Sequence, residues 1–134
     1  MFSHNRHSLI RNILLVDAAT CSAMGAALTV ATRLLATLTA LPPALLFYAG
    51  ALLFPIAAFM ALVATRASIS VGAVWLVILG NLFWVAASLC LLVGGWVSPN
   101  ALGYAFVIVQ ALAVAVIAVL EHMALRRTAA PLAA

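Results

Sequence analysis

Few residues of this chain are able to do chemistry, and most of those stand in apolar surroundings. Asp17 lies inside a long apolar run; Asn81, Trp84 and Ser88 recur at i, i+3 and i+7; Gln110 sits in the middle of a further apolar run and Glu121 towards its end. Carboxyls, amides, an indole N–H and a hydroxyl exchange hydrogen bonds, and a carboxyl can also carry a proton. In hydrocarbon such groups are costly, about 2.5–3.5 kcal/mol for Asp at mid-bilayer, and they face a bundle interior and mark function. Asp17 comes six residues after Arg11, hence about 9 Å deeper along a helix. No basic residue within a span pairs with it, because Arg33 lies towards the opposite surface. It is therefore expected to be hydrogen-bonded to polar neighbours, protonated, or open to a water-filled crevice.

Counting residues from the inner surface puts Asp17 and Asn81 within about one helical turn of each other in depth. This predicts a buried Asp17–Asn81–Gln110 cluster, with Trp84 and Ser88 on the same stripe as Asn81. Glu121, one turn from its helix end, is expected to snorkel and to be balanced by Arg126, with His122 beside it at the interface. A structural alternative stands next to the functional one: the six polar residues only hold helices together, through interhelical hydrogen bonds worth about 0.6 kcal/mol on average.

Several chemistries are set aside. Haem ligation across a bundle needs His deep in the spans, whereas His4, His7 and His122 lie at or beyond the ends. No cluster of His, Cys and carboxylates suits zinc or iron, and no glycine-rich phosphate loop or nucleophile–base pair is visible. Cys21 and Cys90 are far apart in apolar segments with no Cys-x-x-Cys pair, which removes thiol redox chemistry and leaves two small apolar packing residues. The expectation is a protein without cofactors that is not an enzyme.

The elements that position these residues follow from composition. Of 134 residues, 69% are apolar and 6% charged, and the mean hydropathy is +1.32; soluble domains run to about 45–50% apolar and about 25% charged. The predicted fold class is all-α, an integral membrane bundle of four transmembrane helices in one domain over 1–134. The spans are expected at about 9–31, 44–64, 71–93 and 101–123, each of about 20 residues as a bilayer requires. Pro42-Pro43 opens the second span, Gly94-Gly95 closes the third and Ser98-Pro99-Asn100 caps the fourth. Asp17 interrupts what would otherwise read as a signal-peptide core, which predicts a retained first helix.

The net charge of +4 comes from six Arg and no Lys against two acids. With the N-terminus inside, Arg6, Arg11, Arg66, Arg126 and Arg127 fall on the cytoplasmic side and Arg33 alone opposite, so both termini are expected in the cytoplasm. The arginines mark span ends and form no dense patch, which excludes nucleic-acid binding. The expected partners are the lipid bilayer and a homo-oligomer or larger membrane complex. Trp96, Tyr48 and Trp75 fit interfacial anchoring, and 128–134 reads as a frayed tail.

Ala18, Ser22, Ala26 and Cys21, Gly25, Thr29 form adjoining stripes at spacing four, which let another helix approach closely, either from this chain or from a second copy. Pro55 inside the second span removes one backbone hydrogen bond and predicts a bend or hinge. The two halves do not echo each other in polar placement, so an inverted-repeat transporter gains no support.

Leu-Val-Asp17-Ala-Ala, then Asn81-Leu-Phe-Trp84-Val-Ala-Ala-Ser88, then Leu102-Gly103 through Gln110, closed by Glu121-His-Met-Ala-Leu-Arg126-Arg127, resemble a group of uncharacterised small bacterial inner-membrane proteins. That resemblance implies a four-helix topology in the bacterial inner membrane and no particular activity. Size and helix count give a looser likeness to DoxX-like proteins. Asp17 occupies a place comparable to the first-helix carboxylate of the small multidrug resistance transporters, although that family uses Glu there and carries later aromatic motifs absent from this chain. Three functions are therefore carried forward. The leading one is a non-enzymatic accessory or structural subunit acting through helix contacts; the others are a small-molecule or proton-coupled transporter using Asp17, and a lipid- or quinone-binding protein with a crevice near Trp84 and Pro55.

Overall fold

The computed structural model describes the backbone of residues 2–129 and the side chains of 7–128. Arg6 as a side chain and the tail beyond 129 lie outside the described residues. All described elements are helical: α1 Phe2–Val30, α2 Thr32–Thr39, α3 Pro43–Thr65, α4 Val71–Val93 and α5 Ala101–Ala129. Four are long and apolar enough to cross a bilayer, over His7–Val30, Pro43–Thr65, Val71–Val93 and Ala101–Thr128. The last is longer than the 101–123 read from sequence, since helix continues through Arg126 and Arg127.

α2 adds an element between the first two spans expected from sequence. The chain bends at Ala31, while the Ala31 N–H and the Leu35 N–H keep bonds to Ala27 and Ala31 carbonyls, so α2 continues α1 after a kink. Arg33 and Thr37 alternate with the partly buried Leu35 and Ala36, giving a short amphipathic helix of interfacial character. It stops at Ala40, a non-glycine residue in the left-handed region with φ of 57°, followed by Pro42-Pro43, which cannot continue a helix but suits the start of α3.

The helices pair as hairpins. α1 packs most extensively on α3, α4 packs on α5, and α1 also meets α5, whereas α3 and α4, joined by a short loop, barely touch. The α1–α3 pairing follows from the small-residue stripe. A Cβ added to Gly25 would stand 3.0 Å from the Gly50 carbonyl oxygen, and one added to Gly50 would stand 2.6 Å from Leu28 Cβ. Backbone approaches that close are open only to glycine, and in lipid close packing is a main source of helix association. At the far end Arg11 completes the clamp, donating from Nε to the Ala64 carbonyl (2.7 Å) and from Nη2 to that of Arg66 (3.0 Å). This places Arg11 and Arg66 at one end of the bundle. α3 runs as one helix through Pro55.

The core divides along the bundle axis. Ile10, Leu14, Met60, Val63, Val74 and Val77 fill the half nearer Arg66, and Leu28, Leu41, Leu46, Leu53 and Val107 fill the half nearer α2. Large apolar side chains such as Val16, Leu62, Phe83, Leu112 and Val116 point outward, the surface a helix bundle turns to acyl chains.

Candidate functional site

The site begins with Asp17 on α1. It is 2% exposed, one turn beyond Leu14 and beside Ala18, on the face that packs into the bundle. Asn81 on α4 reaches it, donating from Nδ2 to Asp17 Oδ2 at 2.9 Å. The same Nδ2 donates to Glu121 Oε2 on α5 at 3.1 Å. One amide nitrogen thus ties three helices, and the two carboxyl oxygens lie no farther apart than the two bond lengths together. Cys21, one turn beyond Asp17, donates its thiol to Asp17 Oδ1 at 3.7 Å, a weak sulfur bond.

Glu121 departs from expectation. It neither snorkels nor sits at the interface but is fully buried at 0% exposure, because α5 extends a further turn and a half and carries Glu121 inward of the span end. Its Oε1 has no hydrogen-bond partner. A buried carboxyl oxygen without a donor, beside a second carboxyl, is costly in a low-dielectric interior.

Gln110 also departs from expectation, because it does not join Asp17 and Asn81. It lies nearer α2 in a second network: Trp84 Nε1 donates to Gln110 Oε1 (2.9 Å), and Gln110 Nε2 donates to Ser88 Oγ (3.0 Å) and to the Val107 carbonyl (2.9 Å). Ser88 Oγ in turn donates to the Trp84 carbonyl at 2.8 Å. Every donor of this trio is engaged. Its distance from the acids follows from helix geometry, since Gln110 precedes Glu121 by three turns on α5 while Asn81 precedes Trp84 by one on α4.

The six residues singled out from sequence therefore fall into an incompletely satisfied triad, Asp17–Asn81–Glu121, and a closed one, Trp84–Gln110–Ser88. Between them open crevices left by the splayed hairpins. One of about 540 Å³ runs along the α1–α5 seam past Asp17, Cys21, Trp84 and Gln110 and ends under Leu35 and Thr39 of α2. Two more, of about 590 and 370 Å³, follow the α3–α4 seam. Trp84 lines all three.

Sequence reading missed the floor of the α1–α5 crevice. α2 is held over it by Asn100, whose Nδ2 donates to the Leu38 carbonyl (2.8 Å) and whose backbone N–H donates to that of Thr39 (3.2 Å). The same side chain caps α5 as the turn sequence predicts, Oδ1 accepting from the Gly103 N–H at 2.8 Å. Gly103 touches the Thr39 carbonyl so closely that a Cβ would collide with it. The alternation in Arg33-Leu34-Leu35-Ala36-Thr37-Leu38 was the signal available for α2. Among the described residues no group of His, Cys, Asp and Glu is arranged to hold a metal.

No family model, curated protein or solved structure matches the chain.

Proposed function

We propose that this protein is a proton-coupled carrier of a lipid-soluble small molecule, in which Asp17 and Glu121 form the proton-exchanging pair and Asn81 positions both carboxyls. The observation that carries the reading is the buried Glu121 Oε1 without a partner, next to Asp17 across one shared amide. Two carboxyls so placed cannot both hold a full charge at low cost, so such a pair binds and releases a proton as a unit. A bundle that needed only adhesion is served by neutral groups, as the closed Trp84–Gln110–Ser88 network is. Of the two small-residue stripes on α1, the one through Gly25 is engaged within the chain, against Gly50, whereas Ser22 and Ala26 of the other stay exposed, the surface an accessory subunit would offer to a partner helix. Both termini are assigned to the cytoplasmic side on the distribution of the arginines, and the membrane to a bacterial inner membrane on the sequence resemblance given above.

Purified protein in vesicles loaded with a pH-sensitive dye tests this. Under an imposed proton gradient, a panel of lipid-soluble bases, acids and neutral compounds is expected to include one that drives proton flux. Asp17→Asn should abolish that flux while leaving the yield of folded protein intact. Equal flux in Asp17→Asn, or none across the panel, refutes the reading.

A further inference from the structure

A cavity of about 730 Å³ opens where α1 bends into α2, walled by Thr29, Thr32 and Arg33 on one side and by Pro43, Phe47 and Tyr48 of α3 on the other. Arg33 is the one charged side chain between Asp17 and Arg66, and none stands between Arg66 and Glu121. Arg33 is exposed and has no acid to pair with, since the chain's two acids share the Asn81 amide deep in the bundle. The hydroxyls beside it are engaged: Thr29 Oγ1 donates to the Gly25 carbonyl and Thr32 Oγ1 to that of Leu28. The guanidinium is thus the charged donor that this cavity offers, and its fork matches the oxygens of a phosphate.

The cavity continues into hydrocarbon. Ala44 and Tyr48 on its wall also line the crevice of about 590 Å³ along the α3–α4 seam, where those two helices barely touch. The seam accepts an apolar chain and offers nothing to a polar one, because Trp84, Gln110 and Ser88 on its wall bond one another. From Ala44 to Leu52 along the seam is eight residues of α3, hence about 12 Å, close to the roughly 15 Å of hydrocarbon in one leaflet. A cationic cavity that opens into an apolar seam of that length fits an anionic amphiphile. We infer that a phospholipid with a net negative headgroup binds here, its phosphate at Arg33 and one acyl chain in the α3–α4 seam past Tyr48. A zwitterionic headgroup fits less well, because its ammonium finds no acid at this end of the bundle. The chain fills a seam that the helices leave open and so braces the two hairpins against each other. The site stands apart from the proton-exchange reading and uses neither of its carboxyls.

Reconstitution into phosphatidylcholine vesicles that carry a minor share of phosphatidylglycerol brominated in mid-chain tests the assignment, with brominated phosphatidylcholine at the same share as the control. In a Trp75→Phe/Trp96→Phe background the tryptophan emission comes from Trp84, which lines the seam, and bromine quenches it on contact. Quenching is expected to saturate at a share of brominated phosphatidylglycerol about fivefold lower than of brominated phosphatidylcholine, the preference that one arginine near an anionic headgroup supports. Arg33→Gln, at an exposed position, should erase that preference while helical circular dichroism stays unchanged. Ala87→Phe narrows the seam from its exposed lipid side without touching Arg33 and should shield Trp84 from bromine on either lipid, which keeps the test decisive should Arg33→Gln fold poorly. Glycerol phosphate in excess should leave the quenching as it is, because the acyl chain holds the lipid in the seam. Equal quenching by the two lipids, a preference kept in Arg33→Gln, undiminished quenching in Ala87→Phe, or relief by glycerol phosphate overturns the inference.

Discussion

Asn81→Leu separates an adhesive role for the acid triad from a proton-exchange role. Leucine keeps asparagine's branching and heavy-atom count, so the change deletes two hydrogen bonds, those of 2.9 and 3.1 Å to Asp17 and Glu121, and leaves no cavity, although its methyl groups are bulkier than the amide. If the triad is interhelical glue, each bond is worth about 0.6 kcal/mol and the loss totals about 1.2 kcal/mol. If the pair carries one negative charge, one bond falls in the charged class at about 1.5–3 kcal/mol while the other stays near about 0.6 kcal/mol, and the loss is about 2–4 kcal/mol. The two readings differ enough to resolve by reversible unfolding in mixed micelles, read by helical circular dichroism. The decisive variant is the double one: adding Glu121→Gln to Asn81→Leu removes one acid and should return at least about 1 kcal/mol, because the two positions share one charge network. A loss near 1 kcal/mol for Asn81→Leu that adds independently to Glu121→Gln would sink the charged-pair argument.

Glu121→Gln alone should raise stability by about 1 kcal/mol while abolishing proton flux, since the amide keeps an acceptor for Asn81 and supplies a donor where Oε1 stands unpartnered; thermal unfolding and dye-loaded vesicles read the two effects. Gly50→Ala, whose Cβ would press on Leu28, should cost about 1–3 kcal/mol by overpacking, whereas Gly80→Ala, with nothing within 4 Å, should be neutral or slightly stabilising, both read by the same unfolding assay. Asn100→Ala removes the α5 cap and the tie to Leu38 and should cost about 0.5–2 kcal/mol, with faster hydrogen exchange concentrated in α2.

The four spans were legible because long apolar runs bounded by Arg, Pro and Gly leave little freedom in a bilayer. The presence of Asp17 and Asn81 in one cluster was legible too, because depth can be counted along a helix. Depth also separates Gln110 from that cluster: three turns before Glu121 on α5, it stands level with Trp84 and Ser88 and away from Asn81. Glu121 was misplaced because α5 was ended at 123. Arg126 and Arg127 read as a stop, yet a helix can carry arginines past the hydrocarbon into the headgroups. α2 was missed because eight residues give a weak periodic signal, and its position depends on Asn100, 62 positions distant from Leu38 in sequence.

The two networks differ in satisfaction, and this difference explains how they divide labour. A polar group beside an apolar crevice attracts water unless its bonds are complete, and the Trp84–Gln110–Ser88 ring completes its donors internally exactly where three crevices meet. It can then brace α4 against α5 without drawing water into the crevices. Asp17 is the carboxyl on the wall of the α1–α5 crevice; Glu121, with no exposed surface, shares the Asn81 amide with it. On the proton-exchange reading proposed above, the carboxyl pair joined through Asn81 is what couples transport to protons, and Asp17 is therefore where substitution should abolish both at once.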